Sequence, residues 1–82
     1  MEYVLLLAGS VTHAQRIAAI LESQKIRVMI VRAPEGIDLR GCSYGVRLPE
    51  SRKEEALKVL RHAGIGVRGV YQKTRDGWEE VL

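Results

Sequence analysis

An internal repeat is the feature that most constrains the fold. Residues 20–28 (ILESQKIRV) align with residues 59–67 (VLRHAGIGV) at an offset of 39 positions. Both segments show an aliphatic pair, then Ile, one residue and Val. In each, the helical spacing of apolar residues gives way to a β-branched, strand-like pattern. The chain therefore reads as two β-α-β halves.

Four segments have the composition of strands: residues 2–8, 26–32, 43–48 and 66–72. The third alternates, with Tyr44, Val46 and Leu48 on one face and the residues between them on the other, as in a half-buried strand.

Two segments predict helices. The first spans residues 12–24 and opens with the capping-box spacing of Thr12 and Gln15. The second spans residues 51–63, opens with a similar Ser51–Glu54 pair, and is followed by Gly64, where a left-handed residue commonly ends a helix.

The resulting order predicts an α+β protein with the ferredoxin-like split βαβ sandwich. In that fold a four-stranded antiparallel sheet carries both helices on one face. We expect residues 1–73 to form this single domain and residues 74–82, which include Trp78, to form a C-terminal tail.

The helix-free face of such a sheet is expected to lie open. Tyr3, Leu5 and Leu7, or the residues alternating with them, must point to that side. Because an exposed apolar patch commonly marks an interaction surface, we expect a homodimer formed through the sheet or its edge.

The composition limits the class of protein and the cellular compartment in which we expect it. With 82 residues, 28% of them charged, and a single cysteine, the chain is a small domain that cannot form an internal disulfide. No apolar run approaches the ~20 residues that span a bilayer, and no basic leader precedes the first strand. We expect a cytoplasmic protein without membrane attachment.

The single cysteine, Cys42, permits two interpretations. Free Cys is among the most buried residue types, and by alternation Cys42 shares the apolar face of Tyr44. Yet it also lies where a loop meets a strand, beside Gly41, which allows a tight turn. There Arg40 is better placed than Arg47 to stabilise a thiolate, the form in which Cys is a nucleophile.

Several motifs resemble a family of small bacterial and archaeal domains labelled selenium or sulfur carrier-like. They are Pro34 after the second strand, Gly41-Cys42 before the third, and Ala63-Gly64-Ile65 with Gly69-Val70-Tyr71 near the end. The resemblance covers roughly residues 3–72. Two departures are Ser43, where the family often has a second glycine, and His13, which is one place off the usual spacing.

The resemblance implies that Cys42 carries sulfur or selenium, with Arg40 as electrostatic support and Gly41 as a hinge. It also implies a donor protein, such as a cysteine desulfurase-type enzyme. We expect carriage without turnover and without a cofactor or metal. We also expect the segment between the second and third strands to lie at the opposite sheet end from His13, so that no Cys-His pair forms.

Two alternatives remain open. One is a dimeric regulatory or protein-interaction module. The other is an RNA-recognition-like domain that stacks single-stranded RNA on Tyr3 and Tyr44, since such domains share this topology. The strand-three signature is incomplete, so we do not expect nucleic acid as the partner.

Overall fold

The computed structural model describes residues 2–34, 37 and 44–81. The strands are β1 (Tyr3–Ala8), β2 (Met29–Arg32), β3 (Tyr44–Pro49), β4 (Gly69–Thr74) and β5 (Gly77–Glu80); the helices are α1 (Val11–Ser23) and α2 (Lys53–Ala63), with a 3₁₀ turn at Glu50–Arg52. The strands form one antiparallel sheet in the order β2-β3-β1-β4-β5.

The centre of this sheet is β1, which pairs with β3 on one side and β4 on the other. Its residues 4–8 are all buried. Alternate side chains, Val4, Leu6 and Ala8, pack with the helices in the main core. That core also contains these buried residues: Ala14, Ile17, Leu21, Ile26, Val46, Leu48, Ala56, Leu60 and Val70. The alternation predicted for β3 is confirmed, because Val46 and Leu48 face this core and Tyr44 packs against it.

The α+β class and the two helices are confirmed, but the count of four strands is wrong. Residues 77–80, which the sequence placed in a tail, form β5 and pair with β4. Thr74 and Gly77 close the hairpin, with the Thr74 hydroxyl donating to the Gly77 carbonyl at 3.0 Å. The β-α-β-β-α-β succession is present in the first four strands, so the ferredoxin-like assignment fits roughly, with an added edge strand.

The helix boundaries differ from the predictions at their N-termini. Ser10, not Thr12, caps α1 and accepts a hydrogen bond from the His13 amide at 3.1 Å. Before α2 the chain makes the 3₁₀ turn, and Arg52 precedes the helix without a side-chain cap, so the predicted Ser51–Glu54 box does not form. Gly64 ends α2 with φ of 73°, as predicted.

The helix-free face is covered, contrary to the expectation of an open apolar surface. Leu5 and Leu7 do point to this side, but together with Ile37 they form a second buried cluster. Four partly buried residues complete the cover: Val31, Ala33, Tyr71 and Trp78. The reason is that β5 and the residues after β2 supply side chains that a four-stranded sheet would lack.

The described helices include none with the length and apolar character needed to cross a membrane.

Gly45 packs closely against Leu5 of the second cluster. A Cβ at position 45 would lie 2.7 Å from Leu5 Cδ1, well inside van der Waals contact. We expect Gly45→Ala to lower the free energy of unfolding by ~1–3 kcal/mol, the usual cost of overpacking, measured by urea denaturation. Gly66→Ala is the matched control, because nothing lies within 4 Å of its Cβ and its φ is not positive. Equal stability of the two variants would contradict this packing.

At the end of the sheet where β1 begins, the Glu50 and Glu2 carboxyl groups meet. The pKa of Glu50 is raised, mainly by a hydrogen bond to the Glu2 side chain. Desolvation and charge repulsion from Glu2 raise it further. A raised carboxyl pKa means that the folded state holds a proton to higher pH than the unfolded chain. Stability from this group is therefore present below the unfolded pKa and is lost as pH rises through the folded pKa.

Glu50→Gln is therefore expected to raise the urea midpoint at about pH 7 and to lose that advantage at about pH 3, where the Glu50 carboxyl is itself neutral. Glu54→Gln is the control, since this exposed carboxylate lies 3.8 Å from Lys53 Nζ and gains nothing by neutralisation. A similar rise at neutral pH in both variants would show that only net charge matters.

Candidate functional site: a basic end of the sheet

The end of β2, the beginning of β3 and the beginning of α1 lie at the same end of the sheet. Ala8, the last residue of β1, pairs with Tyr44, and Tyr44 also pairs with Arg32, the last residue of β2. The expectation of opposite ends is therefore wrong. Because β3 is antiparallel to both of its neighbours, β1 and β2 run in the same direction and finish together.

The predicted site residues Arg40, Gly41 and Cys42 lie outside the described residues. Their described neighbours define the surroundings: β2 is followed by Ala33 and Pro34, and β3 begins at Tyr44. Between them, Ile37 is 5% exposed and packs with Leu5 and Leu7 on the helix-free face.

Two arginines lie along this end of the sheet. The Arg32 guanidinium carbon is 5.8 Å from the centroid of the Tyr44 ring, a cation–π contact. The Arg68 guanidinium lies over Gly9, so close that a Cβ there would be 3.1 Å from one of its nitrogens. The Arg68 amide also donates to the Leu7 carbonyl at 2.8 Å.

These arginines lie at the two ends of one row of neighbouring residues that runs across the strands. The row consists of Arg32, Tyr44, Ala8 and Arg68. The row crosses three strand spacings, or ~14 Å at the usual separation. Its charge favours anions near the described ends of the β2–β3 segment. Sequence reasoning missed both residues, although each directly ends or precedes a strand and strand direction would have placed them together.

His13 joins two loops at this end. Its Nε2 lies 2.8 Å from the Gly66 carbonyl, and its Nδ1 lies 3.0 Å from the Gly9 amide. A carbonyl can only accept and an amide can only donate, so one neutral tautomer, protonated at Nε2, satisfies both contacts. His13 thus ties the β1–α1 turn to the α2–β4 loop, and neither ring nitrogen is left to act as a base.

The two tyrosines of the RNA-binding alternative lie on opposite faces. Tyr44 packs against the main core on the helix side. Tyr3 lies on the helix-free side, where the Arg47 guanidinium is 4.6 Å from its ring centroid. They cannot form a common stacking surface.

Within residues 2–34, 37 and 44–81, no group of three or more His, Cys, Asp or Glu side chains is placed to hold a metal ion. A cleft of about 630 Å³ lined by Glu2, Arg27 and Glu50 lies at the far end of the sheet. A second of about 440 Å³ lies between α1 and α2, beside Ile20, Lys58 and His62. Neither cleft includes a residue of the basic end.

We expect His13→Ala to lower the free energy of unfolding by ~1–2 kcal/mol, because two hydrogen bonds across the basic end are lost. Hydrogen exchange at the Gly9 amide should accelerate more than the global change requires. His62→Ala is the control: its ring makes no hydrogen bond to any described residue, and its effect should stay within ~0.5 kcal/mol. Unchanged exchange at Gly9 would contradict the bridging role of His13.

Comparison with known proteins gives one positive finding. A search of curated proteins and a search of solved structures each found no match. The family model described as "Putative Se/S carrier protein-like" matches residues 2–72. That span includes β1 to the middle of β4, both helices and the whole β2–β3 segment, and it stops before β5. Because the match covers most of the chain, the protein belongs to the selenium/sulfur carrier-like family.

Proposed function

We propose that this protein carries sulfur or selenium as a covalent adduct of Cys42 and passes it between other proteins without catalytic turnover. The observation that supports this most directly is the family match, whose span contains the only cysteine of the chain. Arg40 supports the thiolate and Gly41 lets the backbone turn beside it.

The basic end of the sheet adds physical support. A thiolate is an anion, and cations nearby stabilise it against protonation. Arg32 and Arg68 lie at the sheet end where β2 finishes and β3 begins, and Arg40 would add a third positive charge. His13, occupied by two backbone groups, is not required as a base.

The loading step conserves electrons overall. The Cys42 thiolate attacks the outer sulfur of a donor persulfide, a new S–S bond forms at Cys42, and the donor S–S bond breaks. The inner sulfur remains bound to the donor and leaves as a thiolate. The outer sulfur is transferred to Cys42 and keeps its own proton. Selenium from a donor selenopersulfide follows the same scheme.

The single cysteine, which cannot pair within the chain, agrees with a reducing compartment, and we place the carrier in the cytoplasm. A donor such as a cysteine desulfurase-type enzyme is part of this proposal.

Mass spectrometry of the intact chain tests the carrier role. Incubation with glutathione persulfide should add the mass of one sulfur atom, and Cys42→Ser should abolish the gain. Glutathione selenopersulfide should add one selenium atom in the same way. A chain that gains neither atom while its thiol remains titratable would refute carriage.

Two arginine variants test the electrostatic support. Arg40→Gln should slow reaction with a disulfide reagent at about pH 7 by roughly three- to tenfold, because less thiolate is present. Arg47→Gln is the matched control, since Arg47 lies over Tyr3 on the helix-free face. Equal rates in the two variants would remove Arg40 from the site and leave the carriage test unaffected.

A further inference from the structure

The strand β2 is an edge strand with one free side. It pairs with β3 only, so along its other side the backbone amides and carbonyls have no strand partner among residues 2–34, 37 and 44–81. Such an edge is a template for pairing with another chain.

The same strand carries two of the three large apolar side chains that are exposed among the described residues. Met29 is 53% exposed and Ile30 is 36% exposed. The other large apolar residue of this kind, Val11 at 42%, lies apart at the beginning of α1. Exposed backbone and exposed apolar side chains therefore coincide at β2.

The opposite edge of the sheet is different. β5 exposes Glu79 and Glu80, whereas Trp78 turns inward against the cluster of Leu5 and Leu7. Charges on an edge strand discourage further pairing. Of the two edges, β2 is the one suited to a partner.

We propose that β2 pairs antiparallel with β2 of a second copy, around a two-fold axis at Ile30, to form one continuous sheet of ten strands. In an antiparallel pair, opposed residues lie on the same face of the sheet. A two-fold axis perpendicular to the sheet preserves the faces, so a residue and its sequence neighbour cannot be opposed. The axis must therefore pass beside one residue of β2 and its symmetry mate, not between two successive residues. Met29 and Val31 lie opposite Arg47 and Gly45 on the helix-free side, and Ile30 lies opposite Val46 on the helix side.

Self-complementarity selects this register and favours a second copy as the occupant. With the axis at Ile30, the two Ile30 side chains face each other, Met29 faces Val31 of the second copy, and Arg32 faces Val28. No like charges are opposed, which would be destabilising. Moving the axis to Val31 would replace the Ile30–Ile30 contact with Ile30 against Arg32. Moving it to Met29 would draw residues 26–28, which all precede β2, into the pairing, whereas the axis at Ile30 draws in Val28 alone.

The dimer keeps the two basic ends apart. Because the paired strands are antiparallel, the two Arg32 residues lie at opposite ends of the joined sheet. The contact is small, at the low end of specific interfaces. We therefore expect a dissociation constant in the micromolar range.

Sedimentation equilibrium of the full chain from about 1 to 300 µM tests the dimer. The mass should rise from 9.2 kDa towards twice that value. Ile30→Lys, which brings two ammonium groups together at the axis, should weaken dimerisation at least tenfold. Val11→Lys, the same change at an exposed apolar residue away from the edge, should alter it less than twofold.

A cysteine variant tests the register independently of stability. Ile30→Cys in a Cys42→Ser chain should form a disulfide-linked dimer under mild oxidation, because opposed residues of antiparallel strands lie within disulfide reach. Val11→Cys in the same chain should not. A monomer at the highest concentration, equal effects of the two lysine variants, or assemblies that grow without limit would each overturn the proposal. The last result would indicate pairing of β2 with β5 instead.

Discussion

Burial of β1 on both faces is the constraint on which the rest of the structure depends. Residues 4–8 are an unbroken apolar run, so neither side of this strand can face water. The helices cover Val4, Leu6 and Ala8, while Ile37 and the half-buried aromatics cover Leu5 and Leu7. Each of the Val and Leu side chains of β1 contributes ~1.5–3 kcal/mol when fully buried, which is a large share of the marginal stability of a small domain.

Strand direction follows from this arrangement and assembles the basic end. With β1 central and β3 antiparallel beside it, the ends of β1 and β2 and the beginnings of β3 and β4 meet on one side. The β1–α1 turn and the α2–β4 loop are joined there by His13, and Arg32 and Arg68 lie along the same row. The opposite end gathers Glu2 and Glu50, whose mutual hydrogen bond raises the pKa of Glu50.

Sequence patterns predicted the elements better than their junctions. The periodicity of apolar residues placed both helices and four strands, and Gly64 was correctly assigned as the left-handed residue that ends α2. Both N-cap predictions were wrong. At α1, Ser10 and Thr12 can each cap the helix, and Ser10 does so. At α2, a 3₁₀ turn forms where the sequence predicted a cap at Ser51. Backbone geometry decides between such neighbours, and composition alone does not. The strand β5 was missed because Trp78 is its only large apolar residue and its pairing with β4 comes from the hairpin at Thr74–Gly77.

By itself, the sequence determined the class of the fold, the apolar alternation that orients β3, and the motifs that indicate a selenium/sulfur carrier-like family. These properties depend on local spacing and residue type, which a single chain displays directly. Only the tertiary structure decided which groups are neighbours: that His13 lies at the sheet end where β2 finishes and β3 begins, that Tyr3 and Tyr44 lie on opposite faces, and that β2 is left at an edge. Such facts arise from strand order and direction, because hydrogen bonding between distant segments brings together residues that no local pattern connects.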